Sequence, residues 1–236
     1  MNFDDIIGQP KAARQVIQAV ETGRLSHALL LRGVAGVGKL AFAQALAQYV
    51  NCKNPQPNGA CETCESCQKI KKCLHPDVHY VFPIFSQTVS GRNQTSDDFI
   101  GLFRSKFLNQ PYLTLNEWTQ ALEAENKQSG IHIAEIRELK RKLALKAFEG
   151  KYKVVILWYA EKINQEASNA FLKLLEEPPD NTLIIMTVAD SSQLLPTITS
   201  RCQSVSLGRV PQAVLSDYLI RMQDVEPVHA HEISML

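Results

Sequence analysis

Apolar residues at helical spacing open the chain: Ala12, Ala13, Val16, Ile17 and Val20 follow Pro10 and precede Gly23. Proline near the start and glycine past the end predict a helix between them. The short apolar run His27 to Leu31 suits a buried strand. A glycine-rich turn, Gly33 to Gly38, follows it, and Leu40, Ala43, Leu46, Ala47 and Val50 then share one helical face over Lys39 to Val50. Val78 to Phe82 reads as a strand. Residues 83–130 are rich in Ser, Thr, Asn, Gln and Gly, with helices expected near Asp97–Leu108 and Leu115–Ala124. This stretch reads as a peripheral insertion without chemistry. Ile133, Ile136, Leu139 and Leu143 predict one long amphipathic helix over Ile131 to Phe148, ended by Gly150.

Lys153 to Trp158 (KVVILW) is strongly β-prone, as a central parallel strand should be. Asn164 can cap a helix carrying Ala167, Ala170, Phe171, Leu174 and Leu175, which Pro178-Pro179 stops. Leu183 to Val188 is a further strand and Ser204 to Leu207 one more. Strand and helix alternate, so the pattern predicts an α/β fold: a mostly parallel sheet flanked by helices on both faces. After Gly208 the character changes. Pro211 to Met222 and Val228 to Leu236 read as helices with no strand between them. The expected division is a domain over 1–208, with a cysteine module at 52–67 and the insertion at 83–130, and a small helical domain begun over 209–236.

Composition narrows the class. The 236 residues carry 25 Lys+Arg against 24 Asp+Glu, with 45% hydrophobic and 21% charged residues. Wholesale disorder is excluded, and a chain this long can bury a core without disulfide staples. The near-zero balance argues against gripping DNA alone through a strong basic field. No apolar run approaches the ~18–20 residues of a membrane span, and the acidic start MNFDDIIGQP does not read as a secretory signal. A cytoplasmic, reducing compartment is expected.

Gly33-Val34-Ala35-Gly36-Val37-Gly38-Lys39 matches G-x-x-x-x-G-K between a strand and a helix. Such glycines turn backbone N–H groups toward phosphate oxygens, and the lysine adds a point charge. Gly33, Gly36, Gly38 and Lys39 are therefore candidate ligands for a nucleotide phosphate, ATP or ADP. The next residue of a working loop is Ser or Thr, whose hydroxyl holds Mg²⁺; here it is Leu40. In P-loop ATPases a second apolar strand ends in an Asp that also holds Mg²⁺, often followed by a Glu. Here Trp158 and Tyr159 stand there, with Glu161 two residues on and poorly placed to substitute. Two magnesium contacts are missing, so no magnesium-dependent hydrolysis is expected.

Five of the six cysteines fall within residues 52–73. Cys52, Cys61, Cys64 and Cys67 form C-x8-C-x2-C-x2-C, a spacing that suits tetrahedral zinc. Four thiolates leave no position for water, which makes the expected zinc structural. A redox C-x-x-C fits three cysteines in series less well. Cys73 is a spare that could replace one of the four.

Several blocks together resemble the bacterial clamp-loader subunits of DNA polymerase III, members of the AAA+ class of P-loop NTPases. They are Phe3-Asp4-Asp5-Ile6-Ile7-Gly8-Gln9, Leu25-Ser26-His27-Ala28, the phosphate loop, the four cysteines, His75-Pro76-Asp77, Leu172 through Pro179 (LKLLEEPP), and Ser200-Arg201-Cys202. The resemblance implies an AAA+ domain with a zinc module and the start of a helical lid domain. The family's third, collar domain is absent, so the sequence reads as cut short. Its hydrolysing gamma/tau branch keeps the Ser/Thr and the Asp-Glu pair. This chain is similar instead to the delta-prime branch, which lacks ATPase activity and serves as a stator.

On that resemblance Arg201 would act in trans as an arginine finger on a neighbouring ATP site. The implied partners are gamma/tau- and delta-type subunits in a hetero-pentamer, a sliding clamp and primed DNA, with no membrane. Two alternatives stay open: a gamma/tau-like ATPase with atypical magnesium ligands, and a module that binds nucleotide without hydrolysing it.

Overall fold

The computed structural model describes residues 2–85, 88–89, 91–123, 128–223 and 225–235. In chain order the helices are α1 (Pro10–Glu21), α2 (Lys39–Val50), α3 (Glu65–Lys71), α4 (Ile100–Asn109), α5 (Leu115–Ala121), α6 (Ile133–Leu143), α7 (Gln165–Glu176), α8 (Pro196–Thr199), α9 (Gln212–Gln223) and α10 (Pro227–Met235). The strands are β1 (Ala28–Arg32), β2 (Val78–Val81), β3 (Thr88–Val89), β4 (Arg92–Asn93), β5 (Lys153–Leu157), β6 (Thr182–Val188) and β7 (Gln203–Ser206). The central sheet has the order β2-β5-β6-β1-β7, and every pairing in it is parallel. β3 and β4 form a separate small hairpin inside the insertion. Among the described residues no helix is long and apolar enough to cross a membrane.

Side-chain alternation along the strands divides the core in two. Leu29, Leu31, Val154, Ile156, Trp158 and Ile185 face α1, α2 and the insertion. Ala28, Leu30, Val155, Leu157, Ile184 and Met186 face α6 and α7. The period of two thus puts Trp158 on the same side of the sheet as the helix that follows the glycine loop. Both meet near the carboxyl ends of β1 and β5, where open α/β sheets place their ligands.

Three expectations are corrected. The helix expected over Ile131 to Phe148 stops at Leu143. Its last carbonyls are taken by a tertiary partner: the Lys153 ammonium donates to Leu143 O (2.6 Å) and Leu145 O (3.2 Å). Residues Phe148 to Gly150 are drawn out by Asp77, whose carboxylate accepts their three N–H groups at 2.7–2.9 Å. Second, α3 was not expected. It begins at the zinc-type loop, with Cys64 as its N-cap.

Third, the insertion is not peripheral. The Trp118 indole is fully buried and donates to Pro83 O at 2.7 Å. Phe82 stacks on Phe103 at 4.3 Å between centroids, and Trp118 stands edge-on to both. Buried Glu135 of α6 accepts the N–H and hydroxyl of Ser96, pinning the insertion to the body of the domain. The helix expected over Leu115–Ala124 ends at Ala121, and Ala124 lies outside the described residues. The helix expected to reach Leu236 is described to Met235.

Asp77 yields a prediction about stability. Burial would raise its carboxyl, but the three backbone donors and His75 outweigh that and hold it below the ordinary carboxylate range. A group depressed on folding contributes stability above its unfolded pKa and loses it as pH falls through the folded value. The denaturation midpoint should therefore drop below about pH 4, where free Asp begins to protonate. Asp77→Ala orphans three N–H groups and should cost about 3 kcal/mol. It should also flatten that acid-side drop, which urea titrations across pH would read.

Candidate functional site

The glycine loop forms as its sequence requires. Gly36 and Gly38 adopt φ of 76° and 89°, which side chains rarely tolerate. Gly33 lies so close to β7's end that a Cβ would meet Leu207 O at 2.6 Å. Gly38 caps α2, so the helix's first N–H groups open toward the loop mouth. Lys39 does not reach out of the loop. Its ammonium donates to Gly33 O and Val34 O, both at 2.7 Å. Burial pushes Lys39 down to about 8, opposed by the Glu161 carboxylate. Leu40 is buried in the core and offers no oxygen.

The end of β5 is aromatic. Trp158 is buried, 5.8 Å from the Phe103 ring and 6.5 Å from Trp118. Tyr159 sits in the left-handed region (φ 54°) and donates its N–H to the Thr187 hydroxyl at 3.1 Å. Glu161 is turned to the neighbouring strand end, where it accepts the Ala189 N–H at 2.8 Å. Burial raises its carboxyl, with Ala189 and Lys39 pulling the other way.

Sequence reasoning missed one member of this site. Tyr112 of the insertion lies against the loop: a Cβ on Gly38 would meet its ring at 2.8 Å. Its hydroxyl accepts the Ile7 N–H at 2.9 Å. No local pattern around Tyr112 signals this, because its partners lie 74 or more positions away in the chain.

The four expected cysteines converge. The sulfurs of Cys52, Cys61, Cys64 and Cys67 all lie within 4.8 Å of one another. Sulfurs about 2.3 Å from one ion in a tetrahedron stand roughly 3.8 Å apart, and Cys61 and Cys67 are at 3.9 Å. The donor set therefore fits zinc. The Cys61 N–H donates to the Cys52 sulfur (3.2 Å) and the Cys64 N–H to the Cys61 sulfur (3.4 Å), as thiolate ligands require of their surroundings. Cys73 is buried elsewhere, beside the Gln44 amide, and is not part of the cluster. The module is fastened to the N-terminal segment by Asn2, which bonds both the N–H and the C=O of Ala60 at 3.2 Å.

Arg201 follows α8 on the surface, with 38% of its side chain exposed. It donates to Thr197 O at 2.9 Å and pairs with Glu176 at 2.7 Å. Three sequence blocks meet at this corner. The His27 ring bonds Leu175 O at 2.9 Å, and Ser26 N–H donates to the Gln203 side chain at 3.3 Å. His75-Pro76-Asp77, by contrast, is structural: His75 Nδ1 accepts the Asp77 N–H at 3.1 Å, and Asp77 holds residues 148–150.

Comparison with known proteins places this arrangement. The family model described as "DNA polymerase III, delta subunit" matches residues 8–211. The chain is 29% identical to DNA polymerase III subunit delta' of Bacillus subtilis over 93% of its length and 53% of that protein's. It is 31% identical to the delta' subunit of Pseudomonas aeruginosa, covering 88% of this chain and 51% of that one. The chain thus spans about half the length of these relatives. Among solved structures, the RuvB Holliday junction branch migration motor of Thermotoga maritima aligns with a TM-score of 0.52 at 14% identity, over 99% of this chain and 58% of that one. That likeness concerns the fold alone.

Proposed function

The chain belongs to the DNA polymerase III delta subunit family, with delta' subunits among its relatives, and from that membership we propose that it is a non-hydrolysing subunit of the clamp loader. In this reading it acts as a stator beside gamma/tau- and delta-type subunits and helps to load a sliding clamp onto primed DNA. Arg201 serves as an arginine finger on a neighbouring subunit's ATP. Zinc on the four cysteines is structural, and residues 209–236 begin a lid domain.

The observation that carries the reading is the chemistry around the phosphate loop. Leu40, Trp158 and Tyr159 occupy the positions where Mg²⁺ is held in working P-loop enzymes, and all three are buried. Glu161, two residues past Tyr159, turns one carboxylate oxygen to the Ala189 N–H, so at most its other oxygen faces the loop, against the two oxygen ligands that a working site supplies. Without the metal, charge developing on the transferring phosphoryl group has no counter-charge beyond Lys39. The placement of Arg201 also suits action on another chain. It is exposed, and its partners are Thr197 and Glu176 rather than residues of this chain's own phosphate loop.

ATP turnover by the chain alone is the direct test. It should be negligible beside that of a gamma-type subunit and unchanged by Lys39→Ala. Turnover comparable with the gamma-type subunit, and abolished by that substitution, would overturn the reading.

A further inference from the structure

We infer that the Pro111-Tyr112-Leu113 segment of the insertion is a built-in occupant of the phosphate-loop site, sealing it against nucleoside di- and triphosphates. The inference deepens the proposed reading and rests on it in treating the loop as a nucleotide site by descent.

The α2 side of the site and the side lined by Trp158 and Tyr159 are already taken. The Tyr112 ring lies over Gly38, the N-cap of α2, where anions meet the helix's free N–H groups. Its hydroxyl accepts the Ile7 N–H, which fixes the ring to the N-terminal segment. Leu113 is buried, and the N–H of Leu115 donates to the Tyr159 hydroxyl at 3.3 Å. The segment is therefore tied to both sides of the cleft. What remains between Gly36, Gly38, Lys39, Tyr112 and Trp158 is about 10 Å³, at the lower limit for a single water and too small for a phosphate group. The Lys39 ammonium spends two of its three donors on Gly33 O and Val34 O.

The same contacts join two oddities of the sequence. Aromatic residues at the end of β5 forfeit the metal, and they supply the surface on which the insertion docks: Trp158 packs with Phe103 and Trp118. A tethered occupant also competes at high effective concentration. It sits between α4 and α5, which are folded, and has little freedom left to lose.

The test is a titration of the full chain with a fluorescent ADP analogue, followed by anisotropy, with and without Mg²⁺. The wild type should show no saturable binding at millimolar nucleotide. Tyr112→Ala, checked for folding by near-ultraviolet circular dichroism, should bind at least ~10-fold better. Lys39→Ala in that background should remove the gain. Hydrogen exchange on the wild type covers the case in which the variant misfolds: saturating ADP should leave protection of residues 33–40 and 110–115 unchanged. Micromolar binding by the wild type, ADP-dependent protection at those residues, or a folded Tyr112→Ala that binds no better would each overturn the inference. Binding by the wild type without turnover defeats the seal and spares the non-hydrolysing reading, whereas turnover defeats that reading.

Discussion

A chain carrying Arg201→Ala, assembled with gamma/tau- and delta-type partners, is expected to slow ATP hydrolysis at the adjoining site by about 10³-fold. Its own fold should be nearly unaffected. The guanidinium is on the surface, and its partners are the Thr197 carbonyl and a Glu176 carboxylate that is itself half exposed. Losing such a pair costs little stability. The catalytic loss is large because a fixed positive fork beside the transferring phosphoryl group stabilises charge that appears only in the transition state. Arg201→Lys keeps the charge without the planar fork and should recover only a small part of the rate.

The measurement is phosphate release by a reconstituted ring in which the other phosphate loops are inactivated, so that the neighbouring site is read alone. Unchanged release from the isolated site would remove Arg201 from the mechanism. Glu176→Gln separates the two roles of the arginine: it frees Arg201 from its resting partner and should not reproduce the loss.

The second large effect is on stability. Metal analysis should find about one zinc per chain, and stripping it with a strong chelator should cost about 4 kcal/mol, near the top of what single losses cost. At roughly 2–4 °C per kcal/mol for a domain of this size, the melting temperature should fall by about 10 °C. The cost lies well below the ~10–16 kcal/mol of isolated zinc-finger peptides, because α2, α3 and the Asn2 clamp on Ala60 hold both ends of the module. Cys64→Ser should reproduce most of the effect, since it removes a thiolate at the point where the loop turns into α3. The Cys73→Ser variant should keep its zinc. A folded, metal-free wild type with an unchanged melting temperature would disprove the structural role.

Much of this was legible along the chain. The β-prone apolar run KVVILW placed β5 as a central strand, whereas the side of the sheet on which Trp158 lies shows only in the core it joins. The glycines of residues 33–38 specified a loop that only φ-permissive residues can form. C-x8-C-x2-C-x2-C named four residues whose sulfurs do converge. Each of these is a local signal: a strand, a tight turn and a short metal loop are determined by residues within a few positions of one another. Leu40, Trp158 and Tyr159 were equally plain, because the absence of a Ser/Thr hydroxyl or a carboxylate is visible in the residue type itself.

What escaped the sequence has one physical cause, contact between residues remote in the chain. The end of α6 was set by Lys153 and Asp77 rather than by a stop signal, so apolar periodicity carried the expected helix too far. The insertion read as peripheral because its composition is polar, yet four of its six aromatics, Phe85, Phe103, Phe107 and Trp118, are buried. Residue types alone determined that Leu40, Trp158 and Tyr159 stand where a hydroxyl and two carboxylates are expected, and that four thiols shared a module. Only the tertiary structure decided that Tyr112 lies over Gly38 and that Arg201 rests on Glu176. Chain folding, not local pattern, brings such partners within reach, and a sequence read one segment at a time carries no record of those distances.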